Sequence, residues 1–241
     1  MVNAPCVVGT TPAEGCSFTR INNAFDILPQ AGGKWGIQWA KTAQDLNGDG
    51  RVDLTFGVYT SGGSSDTKVY LMLGNGDGTF EPASEMFTHA GQKGPANSFL
   101  FADFTTDELG DVVLGLDDDG DAGSAWMYKG TGPGSFSSTG TKIFDLNPSC
   151  NGGCGDKMGM TGSARTFDFN FDGNLDIVVG HMYCSANENC YMWTAPDSKL
   201  QIYMGVGDGS FGNAQLIHQE LGNSLASSFA IPTRICPWYV Y

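Results

Sequence analysis

Basic residues are scarce in this chain. Lysine and arginine number 12 against 26 aspartates and glutamates, which leaves a formal charge of −14 over 241 residues. Such a surface repels phosphate backbones and argues against nucleic acid as a partner. Long hydrophobic runs are missing as well. The longest apolar stretches, such as DIVVGHMY, have the length of a strand, so no membrane-inserted segment is expected. The first ten residues, MVNAPCVVGT, lack the basic start and apolar core of a signal peptide. No segment combines helical periodicity with caps. There is no Asn-x-Ser/Thr sequon with an allowed middle residue, so N-glycosylation is not expected. Nor is there a nucleophile elbow, an HExxH motif or a phosphate-cradling loop. The histidines, His89, His181 and His218, are scattered and read as loop or packing residues.

What remains is rich in glycine and in short apolar segments. With 35 glycines, 41% hydrophobic and only 16% charged residues, the composition is that of a folded, turn-rich protein. The length suffices for one substantial core or two small ones. Cys6 with Cys16, Cys150 with Cys154 and Cys184 with Cys190 form three close pairs, which suits local disulfides in an oxidising compartment. Free buried thiols are the alternative. Zinc is disfavoured, because the spacings are not CxxC and no histidine lies near two of the pairs. Cys236 has no evident mate. The expected location is extracellular or at the cell surface, with any secretion signal removed or upstream of Met1.

The stretch DLNGDGRVDL, residues 45–54, returns as DFTTDELGDVVLG from Asp103 and as DFNFDGNLDIVVG from Asp168. The intervals are 58 and 65 residues, a period that signals stacked units. GNGDGTF (74–80), GTGPGSF (130–136) and GVGDGSF (205–211) are turn signals that recur with it. Between loop and turn lie VDLTFGVY, KVYLMLG, DVVLGL, AWMYKG, LDIVVGHMY and LQIYMG, which are β-branched, aromatic and bounded by glycine. They read as strands, and the fold is expected to be all-β. The chain divides as a single repeat domain, 1–241: an extension 1–11, repeats at 12–80, 81–136 and 137–211, and a partial repeat at 212–241.

Numbered from its first aspartate, each loop places side-chain oxygens at positions 1, 3, 5 and 9. These are Asp45, Asn47, Asp49 and Asp53; Asp103, Thr105, Asp107 and Asp111; and Asp168, Asn170, Asp172 and Asp176. Calcium takes six to eight oxygens in a tolerant geometry, and alternate residues of a tight loop can supply them. The carbonyls of Arg51, Leu109 and Asn174 at position 7 would add one ligand each. Gly50 and Gly173 at position 6 permit a sharp turn, whereas Glu108 in the second loop predicts strain or a weaker site. An EF-hand is rejected, because position 12 is Phe56, Leu114 or Val179 instead of glutamate. Magnesium is disfavoured, since it keeps its waters. The plainer alternative is that Asp, Asn and Gly are turn formers. Three recurrences with one spacing and one following strand favour about three Ca²⁺ sites of structural purpose.

These residues, D-x-[N/T]-x-D-x-x-x-D followed by DLTFG, DVVLG or DIVVG and then GDGTF or GDGSF, resemble the FG-GAP/VCBS repeat of integrin-α-like β-propellers. The resemblance covers residues 12–211 and is weaker in the second loop, where Thr105 and Glu108 depart from the pattern. It implies four-stranded antiparallel blades, here three complete and one partial, with calcium in a loop between strands. The family occurs in adhesion receptors, fungal lectins, bacterial surface proteins and accessory domains of enzymes, so it implies a scaffold more than an activity. Propellers usually have four to eight blades, and this chain has length for about four. It is part of a longer chain, or four blades close, or an incomplete blade is completed by a neighbouring molecule.

The function expected first is therefore a non-catalytic extracellular module for protein interaction, adhesion or assembly into a filament, its partners being other proteins or copies of itself. The alternative is a carbohydrate-binding lectin. Trp35, Trp39, Trp126, Trp193, Trp238, Tyr191 and Tyr203 offer stacking faces, although tryptophan in such a fold serves packing first. The insertion CSANENCYMWTAPDSKL (184–200), with Tyr191 and Trp193, is the best candidate for a recognition loop. An accessory domain of a secreted enzyme comes third. The acidic cluster LDDDGDAGS (116–124) reads as a solvated hairpin before it reads as a fourth cation site.

Overall fold

The computed structural model describes residues 34–61, 66–91, 96–116, 123–145, 160–183 and 197–220. They form three four-stranded antiparallel sheets and one small hairpin, with no helix among the described residues. The all-β expectation holds. Accordingly, no described helix is long and apolar enough to cross a membrane.

The first sheet is a meander of β1 (Lys34–Gln44), β2 (Asp53–Ser61), β3 (Thr67–Met72) and β4 (Ser84–His89). The second takes β5 (Ala96–Ala102), β6 (Asp111–Leu116) and β7 (Ser124–Tyr128), makes a short excursion through β8 (Gly130–Gly132) and β9 (Ser135–Phe136), and closes with β10 (Thr141–Asp145). The third repeats the order with β11 (Met160–Phe167), β12 (Asp176–Tyr183), β13 (Asp197–Tyr203) and β14 (Gln215–Glu220). In the first and third sheets the excursion is reduced to single bridges, Gly74 to Phe80 and Gly205 to Phe211. Each sheet takes the strand after the excursion as its own fourth strand. It therefore straddles the boundary between successive sequence units.

The sheets pack face to face, and β6 shows why its sequence, DVVLGL, carries no polar alternation. Its side chains alternate between two cores. Val112, Leu114 and Leu116 join Val69, Phe87 and Tyr128 between the first and second sheets. Val113 joins Leu100, Phe104, Met127, Ile177, Val179 and Tyr203 between the second and third. Every residue of β6 is buried, as expected for a strand covered on both faces. Full burial of each such aliphatic side chain stabilises by about 1.5–3 kcal/mol.

One aromatic device recurs at both joints. Phe87 of β4 stacks on Tyr128 of β7, and Phe144 of β10 stacks on Tyr203 of β13, each with centroids 3.7 Å apart. Such pairs add about 0.5–1.5 kcal/mol beyond their buried area. The hydroxyl chemistry differs between the two. Tyr128 lies 2.6 Å from Nδ1 of buried His89, whereas the buried Tyr203 hydroxyl has no hydrogen-bond partner among the described residues. Burial pushes the Tyr203 phenol up to about 12 and raises that of Tyr128 as well.

The expected disulfide residues Cys6, Cys16, Cys150, Cys154, Cys184 and Cys190, together with Cys236, lie outside the described residues. So do Tyr191, Trp193 and the acidic stretch 117–122.

Candidate functional site

The three acidic loops occupy the same place in each sheet, between its first and second strands. Their tips are built alike. Asp45 Oδ1 accepts the amides of Gly48 and Asp49, and its Oδ2 accepts that of Gly50 at 2.7 Å. Asp103 likewise receives the amides of Asp107 and Glu108, and Asp168 those of Asp172 and Gly173. At position 5, Asp49, Asp107 and Asp172 each accept the amide two residues on, from Arg51, Leu109 and Asn174. The first aspartate thus winds the chain around itself, and the second closes the turn.

This winding forces left-handed backbone at positions 4 and 6 in all three loops. The φ values are 77° and 81° at Gly48 and Gly50, 55° and 68° at Thr106 and Glu108, and 60° and 90° at Phe171 and Gly173. Glu108 therefore adopts the conformation that glycine supplies elsewhere, as its sequence position predicted. Each non-glycine residue held there costs about 1–2 kcal/mol. The second loop carries two of them.

Position 3 separates the loops. Asn47 and Asn170 each accept the amide of the position-5 aspartate and donate Nδ2 to its Oδ2. Those bonds, with the Arg51 amide at Asp49 and the Asn174 amide at Asp172, hold both exposed carboxyls below the usual carboxylate range. Asp49 owes its shift first to the Asn47 side chain, and Asp172 first to the Asn174 amide. Thr105 turns the other way, donating both its amide and Oγ1 to Asp111 Oδ2 at 3.1 Å.

The position-9 aspartates do something that spacing alone does not reveal. Asp53, Asp111 and Asp176 expose none of their surface. Asp53 accepts the Leu46 amide on Oδ2 and the Gly74 amide on Oδ1, both at 2.9 Å. Asp111 accepts Phe104 and Gly130 in the same way, and Asp176 accepts Phe169 and Gly205. Each carboxylate ties its loop to the hairpin that follows the third strand of the same sheet. The sequence signal is an aspartate opening the second strand, with a glycine opening the hairpin some twenty to thirty residues later.

No three His, Cys, Asp or Glu side chains among the described residues gather as a metal cluster. The loop tips nevertheless offer oxygen donors alone, two carboxylates with an amide or hydroxyl oxygen between them and a carbonyl two residues on. That donor chemistry suits a hard divalent cation. It fits the first and third loops best, since Thr105 is engaged by Asp111 in the second.

The hairpins also link successive sheets. The Gly134 amide donates to the Leu46 carbonyl at 3.0 Å, and Thr106 Oγ1 donates to the Gly207 carbonyl at 3.0 Å. Lys129 Nζ donates to the Asp208 carbonyl, and Phe104 meets Phe211 edge to face. The hairpins of the second and third sheets thus each seat on the acidic loop of the sheet before. Of the aromatic residues considered for stacking on a ligand, Trp126 is engaged within the fold. Its Nε1 donates to Ser124 Oγ and its ring meets His89 edge-on.

A family model described as an FG-GAP-like repeat matches residues 45–114. Among solved structures the chain is similar to one described as the structural basis of specific recognition of non-reducing terminal N-acetylglucosamine by an Agrocybe aegerita lectin. That likeness has 14% identity and a TM-score of 0.33, covering 76% of this chain and 67% of the other. No curated protein matches the chain. The matched segment contains the first two acidic loops and the hairpin between them.

Proposed function

We propose that this chain is a non-catalytic, calcium-stabilised module of the β-propeller type. It works outside the cell or at its surface by binding other proteins or copies of itself, in adhesion or in assembly of a larger structure such as a filament. The observation that carries this reading is repetition: three successive, mutually packed sheets each carry an acidic loop with the same winding and the same buried fastening aspartate. Asp45, Asn47 and Asp49 with the Arg51 carbonyl, and Asp168, Asn170 and Asp172 with the Asn174 carbonyl, would hold the ion. Asp103, Asp107 and the Leu109 carbonyl, with Thr105, would form the weaker middle site. Asp53, Asp111 and Asp176 fix the backbone beneath. Bound calcium would supply charge neutralisation at each tip.

The test is thermal unfolding of the intact chain in EDTA, then with calcium or magnesium added. Calcium at a hundred times its Kd should stabilise by about 2.7 kcal/mol per site and outperform magnesium. Asp49→Ala and Asp172→Ala should each remove part of that gain. A melting temperature indifferent to EDTA and calcium would overturn the reading.

A further inference from the structure

We infer that the acidic loop of the third sheet is a socket for the hairpin Asn75–Phe80 of a second copy of this chain, joining molecules head to tail. This rests on the interaction-module reading above and names the partner for it.

The joint is made twice within the chain. The hairpin of the second sheet seats on the first loop, and the hairpin of the third sheet seats on the second loop. At both, the apolar residue at loop position 2 is sealed, with Leu46 4% and Phe104 3% exposed. Among the described residues, the hairpin of the first sheet and the loop of the third are each without the counterpart that the other joints have. Phe169, the equivalent residue of the third loop, is only half-buried. Around it stand Phe167 and Phe171, both edge-on in one aromatic cluster where the other loops have Gln44 and Gly48 or Ala102 and Thr106. Phe171 is 81% exposed and sits at a left-handed φ of 60°, an unfavourable conformation that gains little burial among the described residues.

The complementary half is the hairpin of the first sheet. Its amide of Asn75 donates to the Thr79 carbonyl as that of Val206 does to Ser210, and Gly76 and Gly78 share the left-handed φ of Gly207 and Gly209. Residues 75–79 are exposed throughout, whereas Gly209 of the seated hairpin is buried. GNGDGTF and GVGDGSF differ at two of seven positions, both conservative in the fold: the side chain at the second is exposed in each hairpin, and Thr replaces Ser at the sixth. Leftover halves that match a heterologous contact generate open chains of subunits unless the rotation closes.

The experiment places a photo-crosslinking phenylalanine analogue at Thr79 in the full chain and mixes ¹⁴N- and ¹⁵N-labelled copies in calcium. The expected result is a mixed-isotope crosslink to the peptide bearing Phe167–Asn174, with sedimentation that rises with concentration. Phe171→Gly, which keeps the loop backbone and relieves its φ, should weaken association at least tenfold while the melting temperature holds or rises. A crosslink within one copy, a crosslink to another surface, or self-association untouched by Phe171→Gly would overturn the inference. If the calcium response persists in those cases, the module reading survives. A single monomeric species at all concentrations would also overturn the inference, and loss of the calcium response would be needed to remove the broader reading.

Discussion

Removing the buried fastening carboxylate of the second loop tests the architecture most directly. In Asp111→Ala the amides of Phe104 and Gly130 lose their acceptor inside the protein, at 2.9 Å contacts that no water reaches at a residue with zero exposure. A hydrogen bond to a charged group contributes about 1.5–3 kcal/mol, so the two together place the loss at about 3–6 kcal/mol. The Thr105 amide and hydroxyl lose the same carboxylate but are only half-buried and can turn to solvent, so they add little. A loss of that size is a large part of the roughly 5–15 kcal/mol that holds a domain together. The assay is urea unfolding in EDTA, where any metal contribution is removed, with an unchanged m-value as the sign that only stability moved. Asp107→Ala is the control: its carboxylate is exposed at the loop tip, and in EDTA its replacement should stay within about 0.5–1 kcal/mol. Asp111→Ala costing under about 1 kcal/mol, or no more than Asp107→Ala, would refute the assignment of position 9 as a fastener.

Other consequences follow from single residues. Glu108→Gly relieves a left-handed residue while leaving its amide bond to Asp103, and should raise stability by about 0.5–1 kcal/mol in denaturant unfolding. Tyr203→Phe deletes a buried hydroxyl with no partner among the described residues and should be neutral or stabilising at pH 7, whereas Tyr128→Phe breaks the bond to His89 and should cost about 1 kcal/mol. The Tyr203 phenol is raised by burial to about 12, so its contribution is complete below the unfolded value near 10 and is lost as pH rises through 12. Melting curves between pH 9 and 12 should therefore show a shallower alkaline decline in Tyr203→Phe than in the wild type.

The strands themselves were legible from short β-branched runs bounded by glycine, and DVVLGL and LDIVVG lie where they were expected because a strand's apolar side chains mark it locally. The loops were legible for the same reason: Asp45, Asp49 and their counterparts bend the backbone through bonds to amides within five residues. Strain at Glu108 could also be read from the glycine it replaces. Three things were not local. The phase of the sheets depends on which neighbour β4, β10 and β14 pair with, and hydrogen-bonding edges accept a strand from either side of a sequence boundary. The role of Asp53, Asp111 and Asp176 depends on a hairpin amide some twenty to thirty residues away, and only the folded chain brings it within 2.9 Å. The sealing of Leu46 and Phe104 depends on the sheet that follows each, because burial is a property of what packs against a residue and not of the residue itself.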